Sequence, residues 1–355
     1  MQTPIVTPRR PKPAFASRFL RYHRKGMRYG LVLTGASIVE QIEAARLAES
    51  RGLYSVWTTE FFNQNGFVRL AAVAAATERV RLGTGIAYAF MRTPMLAASA
   101  AMDLDEISGG RVILGLGSGT RNMNEKWYSV PFEHPPAPRM REAVALIRAA
   151  FAEAEGDGLT FEGRYYQVSI PQYQRSGMAR PSIPIYVAAV NRGMVRAAAT
   201  SDGLCGHPVY TRHYISECVL PELDGRDCEL VPYVITAVAD NSEQARNEAR
   251  NQIAFYYSTR IYHSILEPHG WSDIGEEIAQ AFRRGDFKAM VAAVTDEMVD
   301  AIAAAGTPDE VRDRLKQWEG LTDHALLYSP SAGLDPARVR ENVSAIAETV
   351  DGLSA

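Results

Sequence analysis

The stretch Arg79 to Gly119 constrains the chain most: RVRLGTGIAYAF, MRTPMLAASAAMDLDEISGG and RVILGLGSG follow one another without a break. Val80 to Ile86 and Val112 to Leu116 are short apolar runs bounded by glycine, the pattern of strands buried on both faces. Between them Pro94 stands where a first helical residue is tolerated, and Gly109-Gly110 stands where a helix must stop. A strand, a helix of about four turns and a second strand form a βαβ unit, because parallel strands require such a crossover.

The alternation continues along the chain. Strand candidates recur at Tyr29 to Leu33, Ser55 to Thr59, Val80 to Ile86, Val112 to Leu116, Ile183 to Ala188, Gly203 to Gly206, Val231 to Val238 and Ala325 to Ser329. Each is followed by a helical pattern or a longer insertion, and eight such strands predict an α/β fold closed as a (β/α)8 TIM barrel, with insertions after strands 4 and 7. Ser37 with Glu40, and Thr307 with Glu310, carry the capping-box pattern, while Gly52 and Gly320 mark the expected ends of those helices. Residues 155 to 182 contain GLTFEGRYYQV, which predicts a small strand pair beside the barrel mouth. Residues 241 to 305 predict two or three helices rich in Ala, Tyr and Phe. Residues 1 to 26 form a basic extension with seven Lys or Arg and no acid, expected to be a flexible arm ahead of a single domain at 27–355.

Composition limits the partners. With 46% hydrophobic and 22% charged residues the chain can bury a large core, and a net charge of -3 offers no electrostatic footprint for nucleic acid. No apolar run approaches the roughly 18 residues of a membrane span, so neither nucleic acid nor membrane is an expected partner. Cys205, Cys218 and Cys228 form neither a disulfide framework nor a zinc pairing, which predicts a reducing, cytoplasmic setting. The seven histidines show no metal-ligand spacing, and no metal is expected.

Active sites of such barrels lie at the carboxyl ends of the strands, and glycine collects at those ends here. The turn Ala189 to Met194 opens a helix, so the amides of Gly193 and Met194 are expected to be free for a phosphate, with Arg192 adding charge-assisted bonds. A plain strand-to-helix turn is the alternative reading of the same residues.

RLGTGIAYAFMRTP followed by LDEISGGRVILGLGSG resembles the luciferase-like superfamily of flavin- and coenzyme F420-dependent oxidoreductases, the bacterial luciferase-like monooxygenase family. IPIYVAAVNRGMVRAAATSDGL, GLTFEGRYY and GTPDEVRDRLKQW are similar to further segments of that family. The resemblance implies a barrel holding an isoalloxazine-type ring over the carboxyl ends of its strands. It implies a non-prolyl cis peptide at Gly85-Ile86 that, with Ala87, supports the ring. By the same resemblance Gly117, Ser118 and Gly119 open the loop that runs to Glu125 beside the ring, Thr34 joins the cofactor contacts, and Asn191, Arg192, Gly193 and Met194 take the cofactor phosphate. There are departures. Glu60-Phe61 stands where several deazaflavin-dependent members carry an acid and a histidine, Arg92-Thr93-Pro94 where many carry Arg-His-Pro, and Thr120 where the sugar-phosphate dehydrogenases carry an acid; the last argues against sugar-phosphate oxidation.

The expected activity is hydride transfer from reduced coenzyme F420 to an activated C=C, C=N or C=O of a small organic substrate. Glu60, Tyr88, Arg121 and Glu125 are the candidate proton handlers. The alternative is a two-component monooxygenase using reduced FMN and oxygen, supplied by a flavin or F420 reductase partner and shielded by Phe61, Phe62, Phe90, Trp127 and Tyr128. A barrel that stores a flavin without turnover is the non-enzymatic alternative. The resemblance also implies a homodimer, which would engage the apolar Ala71, Val73 and Ala74.

Overall fold

The computed structural model describes residues 26–353 apart from 36, 157 and 323. But for Gly26, the expected N-terminal extension lies outside the described residues. In chain order the strands are β1 (Arg28–Leu33), β2 (Ser55–Thr58), β3 (Arg81–Thr84), β4 (Ala87–Tyr88), β5 (Val112–Gly117), β6 (Leu159–Glu162), β7 (Gln167–Ile170), β8 (Ile185–Ala189), β9 (Gly203–Gly206), β10 (Glu229–Val238), β11 (Ala303–Gly306) and β12 (His324–Tyr328). β1, β2, β3, β5, β8, β9, β10 and β12 pair in that order, every pair parallel, and β12 returns to β1. This closed ring is the eight-stranded (β/α)8 barrel that the alternation predicts.

The two faces of the strands explain the closure. Val32, Trp57, Ile113, Tyr186, Cys205, Val231, Tyr233 and Leu326 form one apolar cluster inside the ring, while a much larger cluster fills the space between the strands and the surrounding helices. Alternate residues supply the two faces, as in Val231 and Tyr233 of β10 against Leu230 and Val234.

Local signals set most helix ends. Both predicted capping boxes form, at Ser37 with Glu40 and at Thr307 with Glu310. Thr93 caps the helix Pro94–Ser108 by accepting the Leu96 N–H, with the proline in the first turn and Gly109 in the left-handed conformation (φ 65°) after it. The last crossover helix departs from expectation: it runs only over Pro308–Lys316, and Gly320 lies in the following turn at φ 77°. The chain leaves the helix early because Trp318 turns into the core, where it is buried.

The segment after β5 holds the predicted strand pair. β6 and β7 are antiparallel, with Leu159 opposite Ile170 and Glu162 opposite Gln167. Glu142, on the helix Pro136–Ala152, pins the turn between them by accepting the N–H groups of Arg164, Tyr165 and Tyr166 at 3.0, 2.6 and 2.7 Å. The insertion after β10 is richer than expected. It contains the α-helices Ser242–Tyr257, Ser272–Arg283, Phe287–Ala292 and Asp296–Ile302, and then β11, which pairs parallel with the second half of β10. Ala303-Ala-Ala-Gly306 has no β-branched or aromatic residue, so nothing in its sequence marked it as a strand; the exposed ladder of β10 supplies the reason it is one.

Candidate active site

The site is built where the third strand breaks. Leu82 and Gly83 of β3 face Val112 and Ile113 of β5, but Ala87 and Tyr88 of β4 face Leu116 and Gly117. Four residue steps on one strand therefore oppose three on the other, which is a β-bulge. The extra residue falls at Thr84 to Ile86, and the Gly85-Ile86 peptide bond is cis. Thr84 repairs the interrupted ladder with its side chain: Oγ1 donates to the Gly115 carbonyl at 2.8 Å and accepts the Gly115 N–H at 2.9 Å.

Two glycines make room for the bulge. A Cβ at Gly85 would collide with the hydroxyl of Tyr233, which reaches across from β10 and donates to the Gly85 carbonyl at 2.8 Å. A Cβ at Gly117 would stand 2.6 Å from Cδ1 of Ile86. No local pattern in the sequence marks Tyr233, because its contact with Gly85 spans 148 positions of chain.

Above the bulge lies a cavity of about 950 Å³ at the carboxyl ends of the strands. Of the expected cofactor contacts, Thr34, Gly85, Ile86, Gly117, Ser118, Gly119, Asn191 and Met194 line it. Thr34 Oγ1 is buried and has no hydrogen-bond partner among the described residues, so the wall carries a polar group that a ligand can satisfy. The loop after β5 is held open from behind by Asn124, fully buried, whose Nδ2 donates to the carbonyls of Ser118 and Thr120, both at 2.9 Å.

Three of the expected contacts fall elsewhere. Ala87 is fully buried and off the cavity surface, because with its ladder partner Leu116 it faces the core between the strands and the helices. Arg192 points away and meets Glu222 at 3.5 Å. Gly193 does not line the cavity, and the Met194 amide is not free, since Asn191 caps the short helix Arg192–Ala198 by accepting that N–H at 3.1 Å.

The candidate proton handlers separate in the same way. Glu60 lines the cavity, yet its carboxylate is committed: it takes two bonds from Arg92, at 2.6 and 2.7 Å, and the Tyr88 N–H at 2.9 Å. Tyr88 is buried in the wall beside it, and burial, with Tyr128 and Glu60 nearby, pushes its hydroxyl well above the usual phenol range. Arg121 lies at the rim with its side chain 63% exposed, paired with Glu125 at 2.7 Å, and Glu125 itself is not on the cavity surface.

The aromatic shield also differs from expectation. Phe61 lines the cavity, but Phe62 and Trp127 meet it on the outside in tilted and edge-on contacts, 62% and 43% exposed, and Phe90 packs under Arg139. The aromatic wall comes instead from Tyr233, Phe255, Tyr256, Tyr262 and Tyr328, with His207 among them at the end of β9. Phe255, Tyr256 and Tyr262 belong to the insertion after β10, where the aromatic spacing carries no signal beyond ordinary packing.

Electrostatically this wall is neutral. Burial holds the phenols of Tyr233 and Tyr256 far above their usual range and that of Tyr262 at about 12, and it depresses the His207 imidazole to about 3. Among the described residues no cluster of His, Cys, Asp or Glu is arranged to hold a metal ion, and no helix is long and apolar enough to cross a membrane.

Comparison with known proteins places this geometry. A family model described as luciferase-like monooxygenase matches residues 19–325. An uncharacterized protein of Mycobacterium tuberculosis strain H37Rv is 36% identical over 304 residues, covering 80% of this chain and 88% of that protein. The 5,10-methylenetetrahydromethanopterin reductase of Archaeoglobus fulgidus is 32% identical over 286 residues, covering 77% and 83%. Among solved structures, the coenzyme F420-dependent tetrahydromethanopterin reductase from Methanopyrus kandleri superimposes with a TM-score of 0.76 at 22% identity, over 92% of this chain and 98% of that one. With the barrel, the bulge and these matches together, the chain belongs to the luciferase-like monooxygenase family of oxidoreductases.

Proposed function

We propose that the protein is a coenzyme F420-dependent reductase acting on an activated C=C, C=N or C=O of a small organic substrate. The observation that carries this reading is the Gly85-Ile86 bulge, set on the floor of a cavity large enough for a tricyclic ring and a second molecule. Gly85 and Ile86 support one face of the ring, Gly117 to Gly119 admit its edge, and Thr34 Oγ1 meets a polar atom of the cofactor. The phosphate reaches past Asn191, at the cavity surface, to the amides of Arg192 and Gly193, which lie off that surface but have no partner among the described residues. The deazaflavin supplies the hydride, so the protein's own task is to orient ring and acceptor and to exclude water.

Glu60, by its bonds to Arg92 and Tyr88, braces the bulge segment instead of releasing a proton, and the Arg121–Glu125 pair serves at the entrance. The reading is supported by the reductases among the similar proteins and by the glycine followed by a branched residue at the bulge. A homodimer belongs to the same proposal. Val73 and Ala74 are buried in their own barrel, so the second copy would cover Val68 and Leu96, which are 60% and 61% exposed on the neighbouring helices Gly66–Ala76 and Pro94–Ser108. The aromatic side of the cavity formed by Tyr233, Phe255, Tyr256, Tyr262 and Tyr328 favours, as the second reading, a monooxygenase fed with reduced FMN by a reductase partner.

Titration of the purified protein with F420 and with FMN, each oxidised and reduced, distinguishes the two through ring fluorescence. Saturable binding of F420 with no binding of FMN is expected. Tight FMN binding without F420 binding would move the protein to the second reading.

A further inference from the structure

His207 is the sole histidine on the cavity surface among the described residues, and the site described so far gives it no task. It sits one residue beyond β9, where the strand hands the chain to the cavity rim. Its ring is clamped by two tyrosines of the β10 insertion: Tyr262 stacks on it with centroids 4.0 Å apart and planes at 28°, and Tyr256 meets it edge-on at 4.7 Å. The clamp fixes the plane of the imidazole, and the backbone fixes its protons. The Val209 N–H points at Nδ1 at 3.4 Å, and an amide can only donate, so Nδ1 carries the lone pair and Nε2 the hydrogen. Nε2 has no partner in the protein among the described residues, and the half-buried ring lies on the cavity surface.

The surroundings keep this donor uncharged. The groups facing the ring are phenols, burial alone accounts for the depression of its pKa, and the charged residues on the cavity surface, Glu40, Glu60, Arg121 and Arg340, belong to other walls. A neutral imidazole is a weak Brønsted acid, but its N–H is a fixed hydrogen-bond donor, already oriented toward the cavity, that a carbonyl or imine can accept.

We propose that His207 is a catalytic residue whose Nε2–H hydrogen-bonds the heteroatom of the acceptor double bond, polarising it, and that the cavity accordingly takes an uncharged carbonyl or imine compound in preference to a carboxylate. This rests on the reductase reading for the acceptor's chemistry, but not for the cofactor. A carboxylate brought to the same place would be buried against neutral phenols and a neutral imidazole with no counter-charge, which disfavours it.

The test uses the full chain labelled with 15N-histidine and cyclohex-2-enone as the probe. His207 is expected to appear as the Nε2–H tautomer, to stay neutral down to about pH 4, and to show a saturable Nε2 shift with the enone that cyclohexene, lacking oxygen, does not produce. His207→Phe, which preserves the stack on Tyr262, is expected to weaken enone binding about three- to tenfold. His207→Gln, which restores an N–H donor, is expected to recover most of it. F420 fluorescence titration of wild type and both variants is the separate readout: equal affinity in all three is expected, and failure of wild type to bind F420 would overturn the cofactor reading while leaving the histidine result standing. An Nδ1–H tautomer, protonation near the ordinary histidine pKa, an equal shift with cyclohexene, or enone binding unchanged in His207→Phe would each overturn the proposal.

Discussion

Single residues in this site are legible by what they are bonded to. Glu60 illustrates it: a carboxylate after the second strand of a barrel reads as a proton handler, yet here both oxygens are engaged by Arg92 and one also accepts the Tyr88 N–H. Charge-assisted and largely screened from solvent, these bonds hold the end of β2 to the segment that leaves the bulge. Glu60→Gln is therefore expected to cost about 2 kcal/mol of stability, seen as a lower thermal midpoint. A variant that unfolds like wild type but loses turnover would return Glu60 to proton transfer. The reverse lesson comes from Tyr233 and His207, whose roles depend on partners that sequence distance conceals.

At the scale of elements, the helix after β8 carries the clearest expectation. Its first turn is the phosphate site of the proposed function, and because Asn191 already satisfies the Met194 amide, the donors left there are Arg192 and Gly193. Gly193 has ordinary helical backbone, and an added Cβ would approach Asn191 Oδ1 at 3.3 Å without meeting backbone. Gly193→Asp is thus expected to fold normally while placing a carboxylate against the phosphate, and F420 affinity should fall by at least about tenfold. Unchanged affinity, with the thermal midpoint preserved, would remove this turn from the cofactor site. The caps at Ser37, Thr93 and Thr307 behaved as local signals should, because each needs only residues within three positions of itself. β11 and the early end of the last crossover helix did not, since a neighbouring ladder and a buried tryptophan decide them.

For the whole molecule, three histidines set an acid limit. Burial lowers His207 to about 3; burial with the nearby His213 lowers His269 to about 4; and burial, helped by Arg28, lowers His324 well below the usual imidazole value. His324 is completely enclosed, its Nε2 bonded to the Ser55 hydroxyl at 2.8 Å. Below about pH 6.5 the unfolded chain binds protons at these sites that the folded chain does not, so stability rises with pH across that window and falls as the solution is acidified toward pH 4. Calorimetric midpoints at pH 7, 5.5 and 4.5 should decline in that order. A flat profile would mean that these imidazoles are charged within the fold.

Periodicity and glycine punctuation alone determined the barrel, the order of its strands, the hairpin after β5 and the end of the barrel at which the site lies, because each follows from local pattern and from the handedness of βαβ units. The Arg79 to Gly119 stretch carried that reading, and it also marked the bulge at Gly85-Ile86, through resemblance. Only the tertiary structure decided which side chains face the cavity. It committed Glu60 to Arg92, turned Ala87 and Arg192 away, set Phe62 and Trp127 outside, and brought His207, Tyr233, Tyr256 and Tyr262 together from β9, β10 and the insertion that follows. Those outcomes rest on contacts between segments far apart in the chain, and no local preference encodes a partner that the fold has yet to bring near.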